Sequence, residues 1–208
     1  MKKILFIATV ISIPIIILLS SLFYFALDLD YYQNYYHNHN TYSKFSESPH
    51  EIDNITNNLI SYIGAGNGDL AWFSDKEQLH MKDVKNLFNV AKWTLNFALL
   101  VLIISLVTIY NTDYFFKSFL YGGIVTITFL LLLSVASLTS FNAAFTAFHY
   151  LVFSNMLWLL GPTDKLIMLF PSLFFQTIVI KICILSIVFS VISATFGYYG
   201  KMSFQQKK

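Results

Sequence analysis

Four stretches of this chain carry almost no charge over lengths that suit a lipid bilayer. From Ile4 to about Leu27 there is no Asp, Glu, Lys or Arg; the same holds over about 93–110 and about 119–145, and about 174–196 holds one, Lys181. A hydrocarbon core of about 30 Å is crossed by roughly 20 helical residues. In lipid, such a run satisfies its backbone only as a helix. The expected fold is therefore all-α, a four-transmembrane-helix bundle with a mainly helical extracytoplasmic segment between helices 1 and 2. Residues 1–208 are expected to form a single integral membrane domain. Composition agrees: 56% of residues are hydrophobic and 12% charged, where soluble domains carry about a quarter charged. The first run is too long for a signal-peptide core and has no small-residue cleavage site before Asp28, so it is read as a retained first span.

Four spans place both ends on one side. Lys2, Lys3, Lys117, Lys201, Lys207 and Lys208 all fall on that side, which the positive-inside rule makes cytoplasmic. The segment about 28–92 and the loop about 146–173 then face outward. A net charge of +2 implies no nucleic-acid partner. With every basic residue a lysine, an anion meets a point charge or a backbone donor, never a guanidinium fork. The lone Cys183 excludes an intrachain disulfide, and its apolar setting argues against a reactive thiolate.

Two helix starts are legible in the outer segment. Ser48-Pro49-His50-Glu51 is a capping box with proline at the first helical position, followed by Ile52, Ile55, Leu59, Ile60 and Ile63 at helical spacing. The glycines from Gly64 to Gly68 stop it. Ser74-Asp75-Lys76-Glu77 is a second box, opening the stretch that leads to the second span.

The residues that carry chemistry gather at the outer interface. His149 sits among aromatics in Phe148-His149-Tyr150 through Trp158, where an apolar helix leaves the membrane. Histidine takes and returns protons near neutral pH, and aromatic belts mark headgroup depth. The pattern therefore suggests chemistry on a lipid, against the plainer reading of a packed histidine donating to a carbonyl. Glu77 and Asp83 each lie three residues from His80, so either can touch it on a helix and orient its ring. Spans two and three turn near Asp113 and Tyr114, and His80 and His149 lie about equally far from that turn. If both helices are continuous, about thirty residues at about 1.5 Å each bring the two imidazoles to the same outer level.

His37-Asn38-His39 has a chelating spacing but no fixed third ligand, and the tract from Asp30 to Tyr42 reads as a polar, tyrosine-rich interfacial loop; no metal and no cofactor are expected. Lys181 either snorkels outward or faces the bundle to hold an anionic ester oxygen or phosphate. Asn96 and Asn142 read as glue between spans. No Gly-x-Ser-x-Gly elbow, His-Glu-x-x-His pair or phosphate-cradling loop occurs, which weighs against serine acyl-enzymes, zincins and nucleotide enzymes.

Taken together, Glu77-x-x-His80-Met81-x-Asp83-Val84-Lys85, Phe148-His149-x-x-x-Phe153-Ser154-Asn155-x-x-Trp158, Asp164-x-x-Ile167 and Phe170-Pro171-x-x-Phe174-Phe175 resemble the bacterial lipoprotein intramolecular transacylase family. The likeness covers nearly the whole chain, with one departure at Ser172, where the pattern has an acidic residue. It implies an acyltransferase whose partners are membrane lipid and the diacylglyceryl-modified N-terminal cysteine of a lipoprotein. It implies transfer of one acyl chain from glycerol to the cysteine's α-amino group. On this resemblance His149 is the favoured base and His80 its partner or the acid, spacing alone leaving the two roles open. Asp83 or Glu77 orients, and Asn155, Trp158 and Lys181 meet substrate, Asn155 being a candidate for the oxyanion. Two other readings stand beside it: a non-catalytic membrane assembly factor whose histidines only bond between helices, and a metal-dependent membrane hydrolase.

Overall fold

A computed structural model describes residues 1–206, the side chains of residues 135–139 excepted. The expected Lys207 and Lys208 of the basic tail lie outside the described residues. Among the described residues eight α-helices follow one another: α1 (Lys2–Ala26), α2 (Leu29–Asn38), α3 (Pro49–Gly64), α4 (Asp75–Ile109), α5 (Asp113–Thr139), α6 (Phe141–Val152), α7 (Lys165–Leu169) and α8 (Ser172–Gln206), with a 3-10 turn at Tyr42–Lys44. No strand occurs among the described residues. Four of the helices, α1, α4, α5 and α8, are long and apolar enough to cross a membrane. The chain is an all-α integral membrane protein.

The chain divides into two compact units. The first comprises Met1–Leu22, Ala91–Thr139 and Lys181–Lys208, and its large apolar side chains point outward: Val107 is 74% exposed and Leu132 67%. That inversion suits a hydrocarbon solvent, in which apolar burial no longer drives helices together. Close approach does. A Cβ on Gly123 would stand 2.5 Å from the Ser190 carbonyl oxygen, and one on Gly197 would overlap the backbone of Phe116 and Leu120. Two buried hydroxyls bond within their own helices, Thr126 to the Gly122 carbonyl at 2.8 Å and Ser190 to that of Ser186 at 2.6 Å, whereas those of Ser21, Ser105 and Ser186 are buried without a hydrogen-bond partner in the protein. Ser193 crosses to the Phe119 carbonyl at 2.9 Å. Asn111, with φ of 47°, turns the chain between α4 and α5.

The second unit comprises Phe23–Val90 and Ser140–Ile180. Both capping boxes form as their spacing predicts. Ser48 and Glu51 exchange side-chain and backbone bonds with Pro49 at the first helical position, and Ser74 N–H and Oγ donate to Glu77 Oε2 at 2.8 and 2.7 Å. The tyrosine-rich tract is a helix, not the loop expected. Tyr31, Tyr32, Tyr35 and Tyr36 repeat on one face of α2 and are all buried, against Phe170 and Phe174 and, through hydroxyls, against Thr56 and Thr177. Rings with polar tips fill a core while finding partners for their hydroxyls.

A second difference concerns the third apolar run. Expected as one helix over about 119–145, it ends at Thr139. Ser140 adopts extended backbone, and its hydroxyl accepts the Ala143 N–H, capping a new helix, α6. Serine is a strong N-cap because its oxygen satisfies one of the amides a helix start leaves unpaired. The outer segment expected as a loop from about 146 to 173 accordingly holds the end of α6 and the short α7.

Candidate active site

The site lies within the second unit and starts from α6. Phe141, Phe145, His149 and Phe153 recur every four residues, so they stack along one face. Ring centroids stand 5.9, 4.2 and 5.6 Å apart down this ladder. Phe145 also packs on Phe175 of α8 at 5.0 Å. The helix stops at Val152, and Asn155 turns the chain by accepting the Leu157 N–H at 3.0 Å, the kind of local side-chain bond that favours a turn. The following loop brings Trp158 back over His149, with ring centroids 4.9 Å apart.

His149 is 8% exposed. Its Nδ1 lies 2.7 Å from the Phe145 carbonyl oxygen. A carbonyl cannot donate, so Nδ1 carries the hydrogen and the lone pair of the neutral ring resides on Nε2. Burial lowers the basicity of this imidazole, with the Phe145 hydrogen bond pulling the other way. The ring is therefore neutral at pH 7, a state in which Nε2 accepts a proton.

His80, on the first part of α4, stands 6.3 Å from His149 and 5.4 Å from Phe153, centroid to centroid. Its buried Nδ1 has no hydrogen-bond partner in the protein. Two imidazoles this close disfavour a charge on both at once. The pair holds one proton at a time more readily than two.

The carboxylates expected beside His80 divide. Glu77 is 1% exposed and fully engaged: one oxygen closes the capping box and the other accepts the Leu166 N–H at 2.7 Å, tying the start of α7 to the start of α4. Both oxygens thereby hold the start of α7 against the start of α4. Asp83 accepts the Asn155 side-chain amide at 2.9 Å, so the two residues form one link between α4 and the loop. Lys76 donates to the Leu159 carbonyl at 2.5 Å. Lys165 donates to the Trp72 carbonyl at 2.5 Å and lies 4.1 Å over its ring. Trp72 in turn donates to Glu47 at 2.7 Å. The loop that carries Trp158 is thus fastened by Lys76 and Asp83.

Lys181 belongs to the first unit and is exposed. Ser172, at the departure from the family pattern, donates to Asn142 at 2.7 Å. His37 and His39 pack against Tyr42 and Tyr35 at 5.0 and 4.3 Å. A recess of about 480 Å³ in this unit is lined by Tyr62, Asp69, Asp75, Gln78 and Lys82 among others, and by neither His80 nor His149. Phe145, Lys76 and Lys165 are given no part in the site by the sequence. The four-residue spacing from His149 points to Phe145, whereas nothing local signals a lysine bound to a carbonyl 83 or 93 residues away.

Residues 7–175 match the family described as lipoprotein intramolecular transacylase Lit. A protein of Aquifex aeolicus (strain VF5), itself uncharacterised, is 30% identical over 132 residues, which cover 62% of this chain and 58% of that protein. The chain thus aligns with a little over half the length of that relative. Among solved structures, the in meso structure of the membrane integral lipoprotein intramolecular transacylase Lit from Bacillus cereus superposes with a TM-score of 0.89 at 21% identity, covering 100% of this chain and 99% of that one. A mutant of the same protein with a histidine changed to alanine gives 0.83, also at 21% identity, over 100% and 96%.

Proposed function

The chain belongs to the lipoprotein intramolecular transacylase family, and we propose that it moves an acyl chain within a single lipoprotein molecule. The substrate is a lipoprotein whose N-terminal cysteine bears a diacylglyceryl thioether, and the product is a lyso-form with an amide-linked chain. The reaction takes place in the cell membrane at the outer leaflet, with both termini cytoplasmic; the basic residues Lys2, Lys3, Lys117 and Lys201 support that orientation.

The observation that carries this reading is the imidazole pair, buried His149 and half-buried His80 with 6.3 Å between centroids, and Nδ1 of His149 committed to a carbonyl. An α-amino group with a pKa of about 7.7 to 8 is mostly protonated at neutral pH and must lose a proton before it attacks. That first proton is released to solvent. As the neutral amine nitrogen bonds to the ester carbonyl carbon, His149 Nε2 takes a second proton from it, the C–O bond to glycerol breaks, and this second proton passes to the departing glycerol oxygen from His149 or through His80. No water, cofactor or separate nucleophile is consumed. Proton transfer of this kind supplies about 10² to 10⁴-fold, and holding donor and acceptor of one molecule in attack geometry supplies more. Asp83 and Asn155 act as positioning residues that hold the loop against α4, and Glu77 supports both from below.

Because transfer within one molecule leaves its mass unchanged, the test reads connectivity. Purified protein is incubated with a synthetic diacylglyceryl-cysteinyl peptide, and fragment ions locate the chains. The expected result is an acylated α-amine with the free amine as substrate and no reaction when the amine is acetylated. Hydrolysis to a free fatty acid from both peptides would overturn the proposal.

A further inference from the structure

A buried donor beside His149 is left over by the account so far. Trp158 is 8% exposed, and its indole Nε1–H has no hydrogen-bond partner in the protein. Burying a polar group unpaired costs free energy, and folded proteins rarely leave a buried polar group so. The neighbours do not relieve it. His149 faces the indole at an interplanar angle of 37°, tilted rather than perpendicular. Tyr150 meets it edge to face at 5.0 Å, at best a weak π acceptor. An indole N–H only donates, so the partner this position suits is an acceptor, next to the ring that moves protons.

We infer that the Trp158 indole N–H receives the ester carbonyl oxygen of the substrate as that oxygen becomes an oxyanion. The inference rests on the acyl-transfer reading above. As the amine nitrogen bonds to the carbonyl carbon, the C=O π pair moves onto oxygen and the indole N–H holds the charge. Collapse restores C=O, breaks the bond to glycerol, and the glycerol oxygen takes the proton from the imidazole. A donor fixed before the reaction reorganises little as charge develops, which makes it worth more than one recruited from solvent. The role expected of Asn155 passes to Trp158, since the Asn155 amide is bound to Asp83 at 2.9 Å. The cost in the free protein is the unpaired N–H, and the gain comes in the transition state.

The inference is tested with Trp158→Phe and with a variant in which 3-benzothienylalanine replaces Trp158, sulfur standing where the N–H was. Both are assayed on the diacylglyceryl-cysteinyl peptide beside His149→Gln and Tyr150→Leu. The expected result is a loss of about 10²-fold in kcat with KM unchanged in both Trp158 variants, as for removal of one oxyanion donor. Thermal stability of the sulfur variant is unchanged or higher, because no protein bond is lost, and Tyr150→Leu retains turnover. Should Trp158→Phe fail to fold, the shape-matched sulfur variant carries the test. Wild-type turnover in the sulfur variant while His149→Gln is inactive would overturn the donor role alone. Lower stability with lower turnover in that variant would make the N–H structural and overturn it as well. Activity in His149→Gln would sink the histidine mechanism itself and the donor with it.

Discussion

The two units are built on opposite physical rules. In the first, apolar side chains face out and helices meet through glycine and small hydroxyl residues, as at Gly123 and Gly197. The buried hydroxyls of Thr126 and Ser190 there bond to a carbonyl one turn back, and Ser193 alone of these three crosses to another helix. The second unit buries rings and spends its polar groups across long sequence distances. Glu77 reaches Leu166, Asp83 reaches Asn155 and Lys165 reaches Trp72. What differs is the cost of an error. A membrane helix tolerates many apolar exchanges on its lipid face, whereas a buried carboxylate that satisfies two segments has no substitute. A site needing fixed rings and a fixed tautomer is better held by the second kind of construction.

That contrast is open to direct attack, beginning where the expected effect is greatest. His149→Gln keeps a ring-sized polar side chain but no proton-transfer pair, and should lose about 10² to 10⁴-fold in turnover with unfolding temperature near the parent's. Glu77→Ala leaves the Ser74 and Leu166 amides unpaired and should cost about 3 kcal/mol of stability; thermal unfolding in detergent reads it, and Glu77→Gln should recover part. Gly123→Val in the first unit forces a side chain against the Ser190 carbonyl, for about 1 to 3 kcal/mol, and should leave the shape of the pH profile untouched. If it moved that profile instead, the division of labour between the units would be wrong.

The pH dependence itself is a smaller effect. The His149 imidazole must be neutral to act as base. Burial holds it neutral below its ordinary range, so the acid limb of kcat/KM should fall below the free-imidazole value of about 6.5. The same shift makes the native state bind fewer protons than the unfolded chain, so this group lowers stability as pH drops through that range. Smallest of all, Lys76→Met removes an exposed lysine bond to Leu159 and should cost no more than about 1 kcal/mol, seen as slightly lower thermal stability.

Much of this is legible in the sequence. Hydropathy alone marks the four membrane helices, because lipid imposes the helix on any apolar run long enough to cross. The capping boxes at Ser48 and Ser74 are local chemistry and form as written. His80 and His149 meet, but not along the one continuous helix that equal distance from the turn implies: Ser140 ends α5 and starts α6. A single serine inside an apolar run gives a weak signal, since the same residue bonds back to its own helix elsewhere, as at Ser190. Tyr31, Tyr32, Tyr35 and Tyr36 did carry helical spacing, masked by polar neighbours that read as a loop. The second oxygen of Glu77 was beyond sequence reasoning, because a carboxylate bound to an amide 89 residues away leaves no periodic trace.

The central claim is that the His80–His149 imidazole pair carries the proton through an acyl transfer within one lipoprotein. It is tested most directly by fragment-ion spectra of lipoprotein N-termini from cells producing either this chain or its His149→Gln variant. The account predicts an amide-linked chain on the cysteine with the parent, and both chains still on glycerol with the variant. Identical fragment spectra from the two would contradict it.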